Sequence, residues 1–389
     1  MKDFIYNTPT KVYFGLDTEK KVGEIIKEFR HKRVMLQYGK SSIKKSGLYD
    51  VVINSLKENG IEFVEMGGVE PNPKIEFVRD AVKLAKAEKV DLILAVGGGS
   101  VLDSCKYTAL GAKSDFDPWD FAIGKAKPVD ALKVGCVLTM SAAGSEMSNS
   151  AVITNLAVNM KKGCTTEFNR CEFAICNPAL TFTVGKYQTA CGIVDIMTHT
   201  MERYFTTEPE VELTDRIAES ILKSVVIAGE KVIENPCDYD ARAEIMWASS
   251  LSHNGLTACG RFNYLAVHQL EHALSGEFDF IAHGAGLAVL EPAWMRYQYK
   301  ANPKRFAQFA RRVLDVVCED DIKASEQGIE KLTEFFAKIG MPTKLREFGI
   351  PETSMARLAE LCTYGKTRVI EGYIPLDYDN VKEIFDSCY

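Results

Sequence analysis

The composition describes a globular chain and excludes several classes of function. Its 389 residues are 46% hydrophobic and 26% charged, enough for two domains that each bury a core. The formal net charge is -6 and no dense run of lysine and arginine occurs, so nucleic acids and anionic membranes are not expected partners. No apolar run approaches membrane-spanning length, and the first residues do not resemble a secretion signal. We therefore expect a cytoplasmic protein.

The eleven cysteines are scattered along the chain, with no C-x-x-C pair. This distribution favours reduced thiols over a disulfide framework. The closest pair, Cys171 and Cys176, is interpreted as strand residues and not as a metal or redox pair, because soft metals need tighter spacing and more ligands.

The first half of the chain alternates β-rich runs with helical stretches, which is typical of a parallel α/β sheet. An edge hairpin or a pair of extended segments is predicted first, at residues 4–6 and 12–14. Strands are predicted next at residues 33–38, 61–66, 92–96 and 134–138, and helical spacing predicts helices at 43–59 and 75–88.

From about Lys186 onward the pattern changes to long helical periodicities with few β-branched runs. Turn signals such as Asn235-Pro236 separate these stretches. The sequence thus predicts an α/β domain over residues 1–185 and an all-helical domain over residues 186–389.

A glycine-rich segment, Gly97-Gly98-Gly99-Ser100, follows the predicted strand at 92–96. Glycines there allow a pyrophosphate to approach the backbone, and the start of the next helix favours an anion. The segment matches neither G-x-G-x-x-G nor the P-loop pattern. A plain strand-to-helix turn also needs glycine, so this motif alone leaves nucleotide binding open.

A second loop after a predicted strand bears on the type of nucleotide. Gly39, Lys40, Ser41 and Ser42 follow the strand at 33–38, where dinucleotide-binding folds often place the residue that contacts the adenosine ribose. No carboxylate occurs among them, and lysine with two hydroxyls would accept a 2′-phosphate. We therefore expect NADP(H) in preference to NAD(H). The alternative is an ordinary helix start with one serine as the N-cap.

Histidines are few, and their placement is informative. Asp195 and His199 lie four residues apart, so on a helix both side chains leave the same face. His268 and His272 repeat this spacing, and His283 follows. Three imidazoles and one carboxylate would suit Fe(II), Zn(II), Co(II) or Ni(II), whereas calcium and magnesium prefer oxygen ligands. The other two histidines, at positions 31 and 253, are interpreted as ordinary structural residues.

Two alternatives compete with a metal-dependent enzyme that uses a nucleotide. The segment from His268 through Glu271 to His272 matches the H-x-x-E-H pattern of zinc metalloproteases, with the glutamate activating water. That interpretation leaves the glycine loops and the Asp195/His199 pair without a purpose. The other alternative is a protein that binds a nucleotide or a metal without catalysis.

Taken together, these motifs resemble those of the iron-containing (group III) alcohol dehydrogenases, and among them the NADPH-dependent butanol dehydrogenases and aldehyde reductases. The resemblance is carried by residues 7–15, 97–103, 144–146, 195–202 and 268–292. It implies an N-terminal α/β dinucleotide-binding domain with a parallel sheet and an all-α metal-binding domain, the dehydroquinate synthase-like architecture. It also implies a homodimer, with the N-terminal extended segment as a candidate interface.

The resemblance further implies a role for individual residues. It assigns the metal, Fe(II) above the other divalent ions, to Asp195, His199, His268 and His283, and a proton relay to His272. It assigns nucleotide contacts to Gly98, Gly99, Ser100 and Asp103 at the pyrophosphate, to Thr139, Ser141 and Lys161 at the ribose and phosphates, and to residues 39–42 at a 2′-phosphate. The implied reaction is hydride transfer between NADP(H) and small primary alcohols or aldehydes.

Overall fold

The computed structural model describes residues 1–158 and 160–389, which form two compact units. The α/β unit comprises Asn7–Val184, and the helical unit comprises Gly185–Tyr389 together with Met1–Tyr6. The first six residues, which the sequence analysis placed in the α/β domain, therefore belong to the helical unit.

Parallel strands form the centre of the α/β unit. The strands are β1 (Lys11–Phe14), β2 (Arg33–Tyr38), β3 (Glu62–Gly67), β4 (Leu92–Gly97), β5 (Lys133–Leu138), β6 (Ser150–Asn155), β7 (Met160–Thr165) and β8 (Phe173–Cys176). Over the described residues, six of them form one sheet in the order β1-β8-β5-β4-β2-β3, with every neighbouring pair parallel. The remaining two, β6 and β7, form an antiparallel hairpin.

Helices connect these strands. They are α1 (Val22–Glu28), α2 (Ser42–Lys45), α3 (Leu48–Glu58), α4 (Ile75–Ala87), α5 (Gly99–Ala112) and α6 (Pro118–Ala122), with 3-10 turns at Thr18–Lys21, Leu156–Val158, Glu167–Asn169 and Pro178–Thr181. Side chains alternate across β2: Val34 and Leu36 pack in the cluster that includes α1 and α3, while Met35 packs against α4. Burial of both faces explains why this strand is a continuous apolar run.

The four strands predicted in the first half are confirmed to within one residue at either end. The helix predicted at 43–59 is wrong as a single element, because Gly47 adopts φ 80°, a left-handed conformation that ends α2 before α3 begins. The predicted N-terminal hairpin is also wrong. Residues 4–6 form no strand, and β1 pairs in parallel with β8 at the edge of the sheet.

The order of the strands places the loops after β2, β4 and β5 at one edge of the sheet. β3 lies on one side of β2, at the edge of the sheet. β4 lies on the other side of β2, and β5 lies next to β4. The register pairs Tyr38 with Val96 and Gly97 with Leu138, so the loops after β2, β4 and β5 start at the same edge. In open α/β sheets, a crevice at such a change in strand order binds ligands.

The helical unit is built around α7 (Lys186–Tyr204), which packs against four other helices. The remaining helices are α8 (Glu212–Glu234), α9 (Tyr239–His253), α10 (Ala266–Glu277), α11 (His283–Gln298), α12 (Pro303–Val313), α13 (Asp321–Lys338), α14 (Ser354–Cys362) and α15 (Tyr378–Ser387), with 3-10 turns at Leu256–Ala258, Tyr299–Ala301 and Leu345–Phe348. Every residue from Thr189 to Tyr204 is buried. Across the described residues, each helix is too short or too polar to span a lipid bilayer.

Candidate functional site

Polar side chains occur in the middle of the buried helix α7. Asp195 and His199 leave one face of this helix, one turn apart, and lie among apolar residues such as Ile193, Ile196 and Met197. Burying a carboxylate in such surroundings is unfavourable unless it has a charged or hydrogen-bonding partner. Asp195 and His199 therefore need polar or charged partners from other elements of the structure.

Three histidine side chains converge on the Asp195 carboxylate. The distances from Asp195 Oδ1 are 3.3 Å to His199 Nε2, 3.5 Å to His268 Nε2 and 3.7 Å to His283 Nε2. His268 comes from α10, and His283 is the first residue of α11. The four predicted ligands are thus brought together from three helices. Donor atoms of Asp195, His199 and His268 all lie within 4.8 Å of one another.

The geometry of this cluster fits a divalent metal ion. Two ligand atoms about 2.1 Å from a tetrahedral ion lie about 3.4 Å apart, close to the observed separations. Asp195 Oδ1 and His268 Nε2 are buried and have no hydrogen-bond partner among the described residues. Buried polar atoms are nearly always satisfied, so a cation bound between these two atoms would account for both.

Carboxylates behind two of the histidines orient them. His268 Nδ1 hydrogen-bonds Glu202 of α7, and His283 Nδ1 hydrogen-bonds Glu271 of α10. Because a carboxylate only accepts, Nδ1 carries the proton in each ring and Nε2 is directed at Asp195. Glu202 Oε1 also accepts the Val267 amide at 2.5 Å. Partners of this kind are typical behind metal-bound histidines.

The electrostatics of the cluster favour positive charge at its centre. Burial lowers the pKa of His268, but the Glu202 and Asp195 carboxylates outweigh this effect and raise it to about 10. Burial and the neighbouring His253 and His268 rings hold the pKa of His199 well below its usual range. A neutral His199 presents the lone pair that a metal ligand needs.

Glu202→Gln is expected to weaken metal binding about 10-fold to 100-fold, because Glu202 orients the His268 ring. A glutamine would direct an N–H group at a donor, either His268 Nδ1 or a backbone amide of α10. Titration with a competing chromophoric chelator measures the affinity. The matched control is Glu212→Gln, which makes the same charge change on an exposed side chain. Equal affinities in the two variants would contradict the role of Glu202.

Two further histidines, His253 and His272, lie next to the cluster. The ring of His253, at the end of α9, lies 4.0 Å from the His199 ring between centroids. The centroid of His272 is 6.3 Å from that of His268 and 5.9 Å from that of His283. His253 was expected to be an ordinary structural residue, and its position beside His199 was not predicted, because nothing in its local sequence links it to α7.

The predicted glycine turn is present in the α/β unit. β4 ends at Gly97 and α5 begins at Gly99, with no side chain capping the helix. A methyl group added at Gly99 would meet nothing within 4 Å, whereas one at Gly98 would lie 3.2 Å from Met140 Cβ. The start of α5 therefore presents backbone amides beside open space, an arrangement that fits a pyrophosphate.

Most of the other predicted nucleotide contacts lie in loops that start at the same edge of the sheet as this turn, whereas Lys161 lies in the β6-β7 hairpin. The Thr139 amide donates to Gly97 O at 3.0 Å, which joins the loop carrying Ser141 to the turn. Residues 39–42 follow β2, with Ser42 starting α2. Lys161 of β7 pairs with Thr154 and contributes to the electrostatic field at Asp103.

Asp103 makes hydrogen bonds within the protein that the glycine-rich motif did not predict. Its carboxylate accepts hydrogen bonds from Ser145 Oγ at 2.7 Å and from the Val152 amide at 3.0 Å. Burial raises the pKa of this carboxyl, and the nearby Lys106 opposes the shift. Asp103 thus anchors the hairpin and the preceding loop to α5. This arrangement gives Asp103 a positioning role, and the contact with a pyrophosphate that the resemblance implies stays a prediction.

Two family models match the chain, one within each of the two units. Residues 9–178 match the family model described as iron-containing alcohol dehydrogenase. Residues 189–389 match the C-terminal model of the Fe-containing alcohol dehydrogenase family. The chain belongs to the iron-containing alcohol dehydrogenase family.

Individual relatives agree with this family over the full length. The chain is 39% identical to NADH-dependent butanol dehydrogenase A of Clostridium acetobutylicum and 35% identical to the NADPH-dependent aldehyde reductase YqhD of Escherichia coli, with 100% of each chain covered. The crystal structure of NADH-dependent butanol dehydrogenase A from Thermotoga maritima superposes with a TM-score of 0.96 at 40% identity, covering 100% of this chain and 99% of the other.

Family membership and geometry together decide between the earlier alternatives. This iron-containing alcohol dehydrogenase is an oxidoreductase, and neither alternative function is supported. In the H-x-x-E-H segment, Glu271 is fully buried and hydrogen-bonds His283, so it is not placed to activate water as a protease base.

Proposed function

We propose that this iron-containing alcohol dehydrogenase transfers hydride between NADP(H) and small primary alcohols or aldehydes, using one divalent ion held by Asp195, His199, His268 and His283. The convergence of three imidazole Nε2 atoms within 3.3–3.7 Å of one buried carboxylate oxygen carries the proposal. The names of the relatives, which include butanol dehydrogenases and an aldehyde reductase, support small alcohols and aldehydes as substrates.

The ion proposed is Fe(II), which the family description supports and which three imidazoles and a carboxylate suit, as they also suit Zn(II), Co(II) and Ni(II). When bound, such an ion acts as a Lewis acid on the substrate oxygen, an effect worth several kcal/mol. Glu202 and Glu271 hold the rings of His268 and His283 in place for this purpose. His272 is proposed to relay the proton, since histidine titrates nearest to neutral pH among side chains.

The nucleotide is proposed to bind at the shared edge of β2, β4 and β5. Gly98, Gly99 and Ser100 would hold the pyrophosphate at the start of α5, where the helix dipole favours negative charge. Thr139, Ser141 and Lys161 would border the ribose and phosphates. Gly39, Lys40, Ser41 and Ser42 support NADP(H) over NAD(H), because Lys40 and two hydroxyls can bind a 2′-phosphate.

We also propose that the enzyme works in the cytoplasm as a homodimer. All eleven cysteines are free thiols, which suits a reducing compartment. The N-terminal segment exposes Phe4, Ile5 and Tyr6, and Ile5 is 96% accessible. Exposed apolar side chains that are contiguous support a protein interface at this segment.

The test of this function is a rate comparison with butyraldehyde after the protein is loaded with Fe(II) or Zn(II). We expect loss of nicotinamide absorbance with NADPH and a slower loss with NADH, and no turnover in a chelator-treated sample. Equal rates with the two cofactors would contradict the NADP(H) preference. Binding of nucleotide and metal with no oxidation of either cofactor would contradict hydride transfer itself.

A further inference from the structure

A carboxylate stands beside the loop after β2, although none occurs within the loop itself. Glu70 Oε1 lies 2.6 Å from Lys40 Nζ. The prediction of NADP(H) rested only on the residues that directly follow β2, where lysine and serines occur without a counter-ion. The carboxylate comes instead from the segment after the neighbouring strand, β3.

The backbone fixes the position of Glu70 relative to the loop after β2. β2 and β3 pair in parallel up to Tyr38 and Gly67. Beyond this pair, the Gly68 amide donates to Tyr38 O at 3.0 Å and to Gly39 O at 3.1 Å, and the Val69 amide donates to Tyr38 O at 3.2 Å. The residue that follows Val69 is therefore held next to Gly39 and Lys40 by main-chain hydrogen bonds, and its placement does not depend on the ion pair alone.

Both charged groups of this pair are accessible to a ligand. The Lys40 side chain is 67% exposed and that of Glu70 is 48% exposed. A 2′-phosphate bound at Lys40 would compete with Glu70 for the ammonium group and would be repelled by its carboxylate. A 2′-hydroxyl would instead find an acceptor in that carboxylate. Glu70 thus opposes the phosphate at the point where Lys40 attracts it.

We propose that Glu70 is a specificity-determining residue that limits the preference for NADP(H) conferred by Lys40. This inference rests on the proposed function, because it requires a dinucleotide at the loop after β2. The charge balance between Lys40 and Glu70, more than the presence of Lys40 alone, then sets the ratio of affinities for the two cofactors.

The test measures binding, which needs neither metal nor turnover. Adenosine 2′,5′-bisphosphate and AMP are titrated as competitors of fluorescent NADPH on the full chain, and the ratio of their dissociation constants is compared between variants. Glu70→Gln is expected to shift this ratio about fivefold toward the bisphosphate, the size expected of a partly exposed charge pair. The shift should shrink at high salt, because the Debye length falls from about 10 Å at 0.1 M to about 3 Å at 1 M.

Glu62→Gln is the matched control, since it removes the same charge from the opposite end of β3, where Glu62 pairs with Arg33. It should leave the ratio unchanged. An unchanged ratio in Glu70→Gln, with both nucleotides still bound, overturns the role of Glu70 and leaves the proposed function standing. Failure of the parent protein to bind either nucleotide overturns both. A shift in Glu70→Gln that is independent of salt would indicate a steric effect and also contradict the proposal.

Discussion

His268→Ala is expected to abolish metal retention and to lower turnover about 1000-fold or more, because the loss of Lewis-acid stabilisation costs several kcal/mol. The Nε2 atom of His268 lies 3.5 Å from Asp195 Oδ1 and the side chain is buried, so its removal takes one ligand atom out of the cluster. Its removal also leaves Glu202 without the ring that its carboxylate binds. Elemental analysis after dialysis, combined with NADPH oxidation by butyraldehyde, measures both effects on the same sample.

Two further variants distinguish the loss of a metal ligand from the loss of a proton relay and from the loss of a histidine outside the cluster. His272→Ala should retain the metal and slow turnover about 100-fold, with a changed pH profile, if His272 relays a proton. His31→Ala should leave metal content and turnover near those of the parent, because His31 lies in the α/β unit against Glu172. A folded His268→Ala protein with a full complement of metal would rule out His268 as a ligand.

Lys106→Met is expected to destabilise the α/β unit by about 3–5 kcal/mol, because it leaves buried acceptors without their donor. Lys106 is fully buried, and its Nζ donates to the carbonyl oxygens of Ser145 at 2.6 Å, Ser148 at 3.1 Å and Ser150 at 2.9 Å. Its positive charge also stabilises the carboxylate of Asp103, which anchors the same segment. Methionine keeps an unbranched apolar side chain that ends one atom short of the lysine Nζ, and it supplies no donor.

The destabilisation is measured by thermal unfolding and by amide hydrogen exchange of residues 144–155. A loss of this size corresponds to a fall of about 10 °C in the unfolding midpoint. Lys113→Met, at the exposed end of α5, is the matched control and should change stability by less than about 0.5 kcal/mol. Equal midpoints for the two variants, with unchanged exchange, would show that Lys106 does not hold this segment.

The site could be predicted from the sequence where the interaction is local to one element. The spacing of Asp195 and His199 places both on one helix face whatever the helix packs against, so their pairing could be recognised without a fold. The glycine turn after β4 was likewise found from adjacent residues. Glu202 lies seven residues after Asp195 on the same helix, yet its role was missed, because the group it binds belongs to α10.

The sequence by itself determined strands β2, β3, β4 and β5 of the α/β sheet, the helical character of the second half and the histidine pattern, since periodicity and turn residues act over a few positions. Only the tertiary structure decided that His268 and His283 reach Asp195, that Lys106 anchors residues 145–150, and that Glu70 stands beside Lys40. Each of these contacts joins elements distant in the chain. Their formation depends on the packing of helices and the order of strands, which no local pattern encodes.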